Sequence, residues 1–291
     1  MLDVQAYADA RGVALARAGV RDVQMPFRLL QKDGRAQTVA ARVSMTTRLA
    51  PEVKGAHMSR FIIQLAEWSR LHTLSLNFNA MLQETMMRLE APAAALDLSF
   101  PYFIDKKAPV TDHSAPMAYR CSFHAHLNCA NPDAPEFQLI LGLTVPIATL
   151  CPCSKAISDY GAHNQRAEIR LLSVMQTTDN GPQTLNGAHH PGEDHPMVWI
   201  EDLVSALESC ASCPVYPVLK REDEKYVTER QYDNPKFVED VARDAILLLR
   251  DLPGVAGFAL EVEALESIHG HNAWAGHEEG FSPLGLRPAF P

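Results

Sequence analysis

Two neighbouring stretches of this chain alternate apolar and polar side chains with a period of two, and no other feature constrains the fold as strongly. Across 119–128, Tyr119, Cys121, Phe123, Ala125 and Leu127 fall on one face, and Arg120, Ser122, His124 and His126 on the other. Across 137–147, Phe137, Leu139, Leu141, Leu143, Val145 and Ile147 repeat the pattern. That period belongs to strands with one face in a core. Further extended segments are predicted at 37–49, 96–104, 166–175 and 258–266. Helical spacing relates Phe61, Ile62, Leu65 and Trp68, then Phe78, Met81, Leu82 and Leu89, then Ile200, Leu203, Val204, Leu207 and Ala211. A last helix is predicted from Asn234 as N-cap and Pro235 at the first position, with a stripe of Phe237, Val241, Ala245 and Leu248, ended by Pro253-Gly254. Pro and Gly cluster at 181–196, read as a loop, and from Gly276 onward, read as an irregular tail.

The order is strand pair, two helices, strand, then strand pair, strand, two helices, strand. Period-two strands with amphipathic helices point to an α+β fold, an antiparallel sheet with helices packed on one face. Gly55-Ala56-His57-Met58-Ser59-Arg60 echoes Gly161-Ala162-His163-Asn164-Gln165-Arg166, which fits a duplicated plan, although so short a likeness also arises by chance. A length of 291 residues suits one large domain or two small ones.

The net charge of −9 argues against general binding to nucleic acid or an anionic membrane. It leaves room for a local basic pocket that takes a phosphorylated small molecule. The start, Met1-Leu2-Asp3-Val4-Gln5, has an early acid and no apolar signal region, and no apolar run approaches a membrane span. The expected compartment is the cytoplasm, where thiols stay reduced. Cys121, Cys129, Cys151, Cys153, Cys210 and Cys213 then read as core residues, metal ligands or nucleophiles rather than a disulfide framework.

Cys151-Pro152-Cys153 follows an apolar strand, and His163 comes twelve residues after Cys151. If the strand parity persists, both cysteines continue its apolar face. Pro152 fixes its own φ and biases Cys151 to an extended backbone, a rigid presentation for a thiol. Thiolate and imidazole are good zinc ligands, and a site short of a fourth protein ligand keeps a place for water. Spacing alone does not separate this from a structural pair. A second cluster, Glu266-Ser267-Ile268-His269-Gly270-His271, ends the final strand. Glu266 shares parity with Phe258, Leu260, Val262 and Ala264, so it is predicted to point inward, where a carboxylate needs a partner. The charged run 220–229 reads as a solvated loop or as a source of one carboxylate ligand and phosphate-binding cations. Glu239 is expected at the surface. His124-x-His126 reads as a solvated or subunit-facing pair, His189-His190 and His195 as loop composition, and Cys210-x-x-Cys213 as packing. No Walker loop or Gly-x-Gly-x-x-Gly is present.

Taken in order, several blocks resemble the prokaryotic type IB GTP cyclohydrolase family: Lys54-Gly55-Ala56-His57-Met58-Ser59-Arg60-Phe61, the unbroken run 151–166, Trp199-Ile200-Glu201-Asp202-Leu203, the run 223–229, the run 234–240, and the run 266–271. The resemblance implies tandem tunnelling-fold (T-fold) modules, placed at 1–109 and 110–291, with the second carrying most site residues. It implies assembly as a homotetramer with interfacial active sites. The implied reaction converts GTP and water to 7,8-dihydroneopterin triphosphate and formate, the first step of folate-type pterin synthesis.

By the same resemblance, Cys151 and His163 are metal ligands and Glu224 the third, with Glu266 open as an alternative. Cys153 stands nearby. Glu239 anchors guanine, because a carboxylate accepts two N–H bonds from its N1/N2 edge. His269, with Glu266 and His271, sits near the reacting ring and His269 moves protons, work that suits an imidazole. Lys155, Arg60, Arg166, Lys220 and Arg221 are candidates for the triphosphate. A bound Zn²⁺ lowers the pKa of its water to about 7 and so supplies the nucleophile for purine C8. Zinc is the default metal; a mixed Cys/His/Glu shell also suits Mn²⁺ or Fe²⁺. Two other readings stand beside this one: a nitrile reductase on the same fold, with a cysteine nucleophile and NADPH, and a non-catalytic metal-binding oligomer.

Overall fold

In the computed structural model, which describes residues 7–71, 73–74, 77–131, 133–178, 181–182 and 198–291, the two alternating stretches are the centre of one large sheet. The elements in chain order are β1 (Leu15–Leu30), β2 (Ala36–Leu49), α1 (Met58–Leu71), α2 (Phe78–Leu89), β3 (Ala93–Lys107), β4 (Ser114–Asn128), β5 (Glu136–Leu150), α3 (Pro152–Ile157), β6 (Asn164–Met175), β7 (Thr177–Thr178), β8 (Gly181–Pro182), α4 (Ile200–Ser209), β9 (Cys213–Pro214), α5 (Arg221–Asp233), α6 (Val238–Arg250), β10 (Val255–Ala264) and β11 (Ala273–Glu279). The main sheet runs β1-β2-β3-β4-β5-β6-β10-β11, all antiparallel, with β9 added to β5.

The duplicated plan is visible in that order. A strand pair, helices and a second strand pair occur once as β1-β2, α1-α2, β3-β4 and again as β5-β6, α4 to α6, β10-β11. The alternation in β4 has the predicted cause, since Tyr119, Cys121, Phe123, Ala125 and Leu127 are all buried beneath the helices. Helix stripes meet this face through Phe61, Leu65 and Trp68 from α1, Leu203 and Leu207 from α4, and Val241, Ala245 and Leu249 from α6. The expected boundary at 109/110 falls in the turn joining β3 and β4, whose ladder runs from Ala93↔Asn128 to Lys107↔Ser114.

Several expectations are corrected. The run at 220–229 is not a loop but most of α5, a helix with little apolar character. Its first turn carries Glu222, Asp223 and Glu224, favourable at the positive end of the helix dipole. Asn234 does not cap α6. It ends α5, and its side chain donates to the carbonyls of Ala211 (3.0 Å) and Ser212 (3.1 Å). The last helix starts later, after Phe237, whose N–H is accepted by the Asp240 carboxylate at 3.1 Å. The tail from Gly276 is not wholly irregular, because β11 extends to Glu279. Beyond it the chain crosses the helix-free face, where Phe281 and Phe290 cover Ile140, Leu172, Val174 and Ala259. His124 is not solvated: it lies between Asp97 (3.0 Å) and Ser122 (2.9 Å), beside a cavity of about 250 Å³ under this tail. The Gly-Ala-His-x-x-Arg echo is not positional. One copy runs from the connection after β2 into the first turn of α1, the other from the connection after α3 into the start of β6. Cys210 and Cys213 are packing residues as expected, and burial pushes both thiols up. His189, His190 and His195, with most of the 181–196 segment, lie outside the described residues.

Candidate functional site

The β5–β6 ladder reaches Leu150↔Asn164 and then gains one more rung, as the Cys151 N–H donates to the His163 carbonyl at 3.1 Å. The backbone itself therefore sets Cys151 opposite His163. Cys151 does not continue the strand parity into Cys153. With φ −68° and ψ 117° it is the N-cap of α3, and Pro152, unable to donate, starts the helix. The turn leaves Cys153 exposed. Ser154 locks the corner: its N–H donates to Cys151 Sγ (3.4 Å), its hydroxyl donates to the Cys151 carbonyl (3.2 Å), and its oxygen accepts the His163 N–H (3.2 Å). Gly161, at φ +68°, takes the left-handed conformation that returns the chain to β6.

The ends of β5, β6 and β10 lie side by side. β10 pairs with β6 up to Ala264↔Ala167, and the Leu265 N–H donates to the Arg166 carbonyl at 2.9 Å. Glu266 follows, and it turns inward as its parity predicted, its side chain only 12% exposed. One of its oxygens accepts from Gln165 Nε2 at 3.1 Å and the other lies 3.9 Å from His163 Nδ1. The His269 ring stands edge-on to His163 at 6.4 Å between centroids and stacks on His271 at 5.3 Å. Both are exposed. Cys151, His163, Glu266, His269 and His271 thus form one cluster at one end of the sheet.

Helix α5 is held at that same end. Asp223 is fully buried and accepts from the backbone of Val110 (2.9 Å) and Thr111 (3.0 Å), the Thr111 hydroxyl (2.6 Å) and the backbone of Lys220 (2.8 Å). Burial opposes its ionisation, but those hydrogen bonds win and hold the carboxyl well below the usual range. The β3–β4 turn that supplies Val110 and Thr111 lies on the edge where β5 delivers Cys151, because β4 and β5 are antiparallel. Glu224, the next residue, is exposed and stands 3.8 Å from Arg221. Within the single chain it is Glu266, not Glu224, that reaches His163. Among the described residues no three His, Cys, Asp or Glu side chains converge enough to hold a metal ion alone.

The remaining candidates are dispersed. Lys155 leans over the Tyr232 ring at 4.3 Å and donates to its carbonyl, tying α3 to α5. Glu239 is exposed in the first turn of α6. Arg60 donates to the Arg88 carbonyl at 2.7 Å, in the first half of the fold. Arg166 is exposed, and strand alternation sends it to the opposite face from His163 and Gln165. Lys220 and Arg221 open α5. Sequence reading missed Ser154, Gln165 and Asp223. Gln165 and Ser154 had no charge to draw notice, and Asp223 was one acid in a charged run.

A family model described as type I GTP cyclohydrolase folE2 matches residues 1–275. The chain is 42% identical over 278 residues to GTP cyclohydrolase FolE2 of Geotalea uraniireducens, covering 96% of this chain and 93% of that one. It is 41% identical over 283 residues to GTP cyclohydrolase FolE2 of Dictyoglomus thermophilum, covering 97% and 99%. Among solved structures, a uricase from Bacillus fastidious matches with a TM-score of 0.52 at 9% identity, over 91% of this chain and 93% of that one. Urate oxidase from Bacillus subtilis 168 matches with a TM-score of 0.51 at 8% identity, over 92% and 98%. At such identities the likeness shows the fold alone: α+β, with tandem tunnelling-fold modules and helices on one face of antiparallel strands.

Proposed function

The chain belongs to the type I GTP cyclohydrolase folE2 family, and from that premise we propose that it converts GTP and water to 7,8-dihydroneopterin triphosphate and formate in folate-type pterin synthesis, as a member of the prokaryotic type IB branch. It is an enzyme, a hydrolase, and the nitrile-reductase and non-catalytic readings are set aside. The observation that carries the proposal is the extra rung joining Cys151 to His163 at the edge where Glu266 and His269 gather.

A divalent metal fits this donor set. One backbone rung sets Cys151 opposite His163, and His163 Nδ1 is already engaged by Gln165, which leaves Nε2 for a ligand. Zinc is the default, with Mn²⁺ and Fe²⁺ as alternatives. When bound, the metal supplies Lewis acidity that activates water for attack on the purine. Cys151 and His163 would hold it, and Glu224, exposed near the start of α5 in one chain, would be the third ligand, with Glu266 beside His163 as the alternative.

The other groups act on the nucleotide. Glu239 accepts the N1 and N2 hydrogens of guanine. His269, backed by His271, passes protons to the imidazole nitrogens as the ring opens. Lys155 meets the triphosphate. Arg60, Arg166, Lys220 and Arg221 are the other candidates for the triphosphate, some of them at the site of a neighbouring chain in a homotetramer. Support for assembly comes from the open sheet, in which, among the described residues, the edge strands β1 and β11 each have a ladder to one neighbouring strand only. The repeated element order favours a module division after β4 rather than at 109/110. Among the described residues no helix is long and apolar enough to cross a membrane, and a GTP-consuming enzyme is placed in the cytoplasm.

The test is direct. Protein supplied with GTP and Zn²⁺, Mn²⁺ or Fe²⁺ in turn releases formate and gives a pterin that fluoresces after oxidation. Absence of formate with every metal sinks the assignment.

A further inference from the structure

The hydrogen bonds around Gln165 can be assigned donor by donor, and they decide where the proton of His163 sits. We propose that Gln165 is a positioning residue that holds the neutral His163 ring in its Nδ1–H tautomer and presents bare Nε2 to the divalent metal. The second half of this proposal rests on the reading of His163 as a metal ligand.

Gln165 Nε2 lies 3.1 Å from Thr149 Oγ1 and 3.1 Å from Glu266 Oε1. A carboxylate accepts hydrogen bonds, so the amide end facing Glu266 is the NH₂ end, and its two hydrogens have two partners. A flipped amide would set its carbonyl against the carboxylate oxygen. The amide oxygen therefore faces His163 Nδ1, 3.0 Å away. A carbonyl oxygen accepts only, so Nδ1 carries the hydrogen. The second Glu266 oxygen, 3.9 Å from the same nitrogen, adds negative charge on that side. A neutral imidazole with its hydrogen at Nδ1 has its lone pair at Nε2, the state a metal ligand requires.

The network is shielded and rigid. Thr149 is 1% exposed, and the His163 and Glu266 side chains are 14% and 12% exposed, so water competes weakly. Thr149 and Gln165 are ladder partners, one rung inside Leu150↔Asn164. Alternation along β6 puts His163 and Gln165 on one face, so the amide reaches the ring two residues earlier in the chain.

The experiment uses metal-free full-length protein with ¹⁵N-labelled histidine at about pH 8. Long-range ¹⁵N–¹H correlation reads the tautomer, with the His163 signal identified by its loss in His163→Asn. The expected result is Nδ1–H in the wild type and a shift toward Nε2–H in Gln165→Leu. An Nε2–H tautomer in the wild type overturns the proposal. Zinc affinity, measured by competition with a chelator, is expected to fall about 10–100-fold in Gln165→Leu. Unchanged affinity in a folded Gln165→Leu protein overturns the positioning role. A wild-type protein that shows Nδ1–H and takes no zinc overturns the metal reading while supporting the tautomer assignment. If Gln165→Leu does not fold, the wild-type tautomer decides.

Discussion

The two halves of the sheet open with strand pairs that are closed in different ways. Between β1 and β2 the ladder ends at Leu30↔Ala36, and a short turn closes it, with the Gln31 N–H donating to the Arg35 carbonyl at 2.7 Å. Between β5 and β6 the corresponding place holds the whole segment 151–163, with α3 inside it. Each connection uses a glycine in the left-handed region, Gly34 at φ +83° and Gly161 at φ +68°, and neither would meet a neighbour if given a Cβ. The backbone problem is the same, but only the longer connection carries a thiol and an imidazole on its two ends. Chemistry is placed where a hairpin has been opened without losing register.

The largest expected effect comes from removing a donor of the longer connection. Cys151→Ala is expected to keep its fold, lose bound metal and lose turnover by roughly a thousandfold or more; elemental analysis beside the GTP assay checks this, and full activity removes Cys151 from the shell. Next is Glu239→Gln on α6, outside both connections. It should retain metal while kcat/KM for GTP falls about 100-fold, mainly through KM if the carboxylate only anchors the base. A loss confined to kcat would argue against anchoring.

The glycines give a matched pair. Gly34→Ala and Gly161→Ala should each destabilise the fold by about 1 kcal/mol, read by urea unfolding, because each forces a Cβ into the left-handed region. Only Gly161→Ala should also weaken metal binding. Equal metal affinity in the two variants would break the contrast between the connections.

The smallest effect concerns the clamp on α5. The Asp223 carboxyl is held below its unfolded value, so its stabilisation is complete above about pH 4 and fades as pH falls toward the folded value. Asp223→Asn should flatten the acid limb of a stability–pH profile. An unchanged limb would show that the clamp does not titrate with folding.

Much of this was legible in the sequence where one face is buried and the other is not. β4 and β5 announced themselves by parity, and so did the inward turn of Glu266. β1 did not, because a register shift between Val20 and Val23 and the positive φ of Asp22 break its alternation. α5 was hidden because it has no apolar stripe and is held by Asp223 and surface ion pairs such as Lys225–Glu229. Gln165 and Ser154 were invisible for another reason. Their roles depend on which residues the register sets opposite them, and no side-chain pattern records that. The parity argument failed at Cys153 because Pro152 ends the strand and begins a helix.

The central claim is that Cys151 and His163, joined by the last rung of β5 and β6, hold the metal. Anomalous X-ray diffraction from zinc-loaded crystals tests it most directly. The account predicts one zinc peak shared by Cys151 Sγ and His163 Nε2, at about 2.3 and 2.0 Å. A peak remote from both residues, or one on His163 Nδ1, would contradict it.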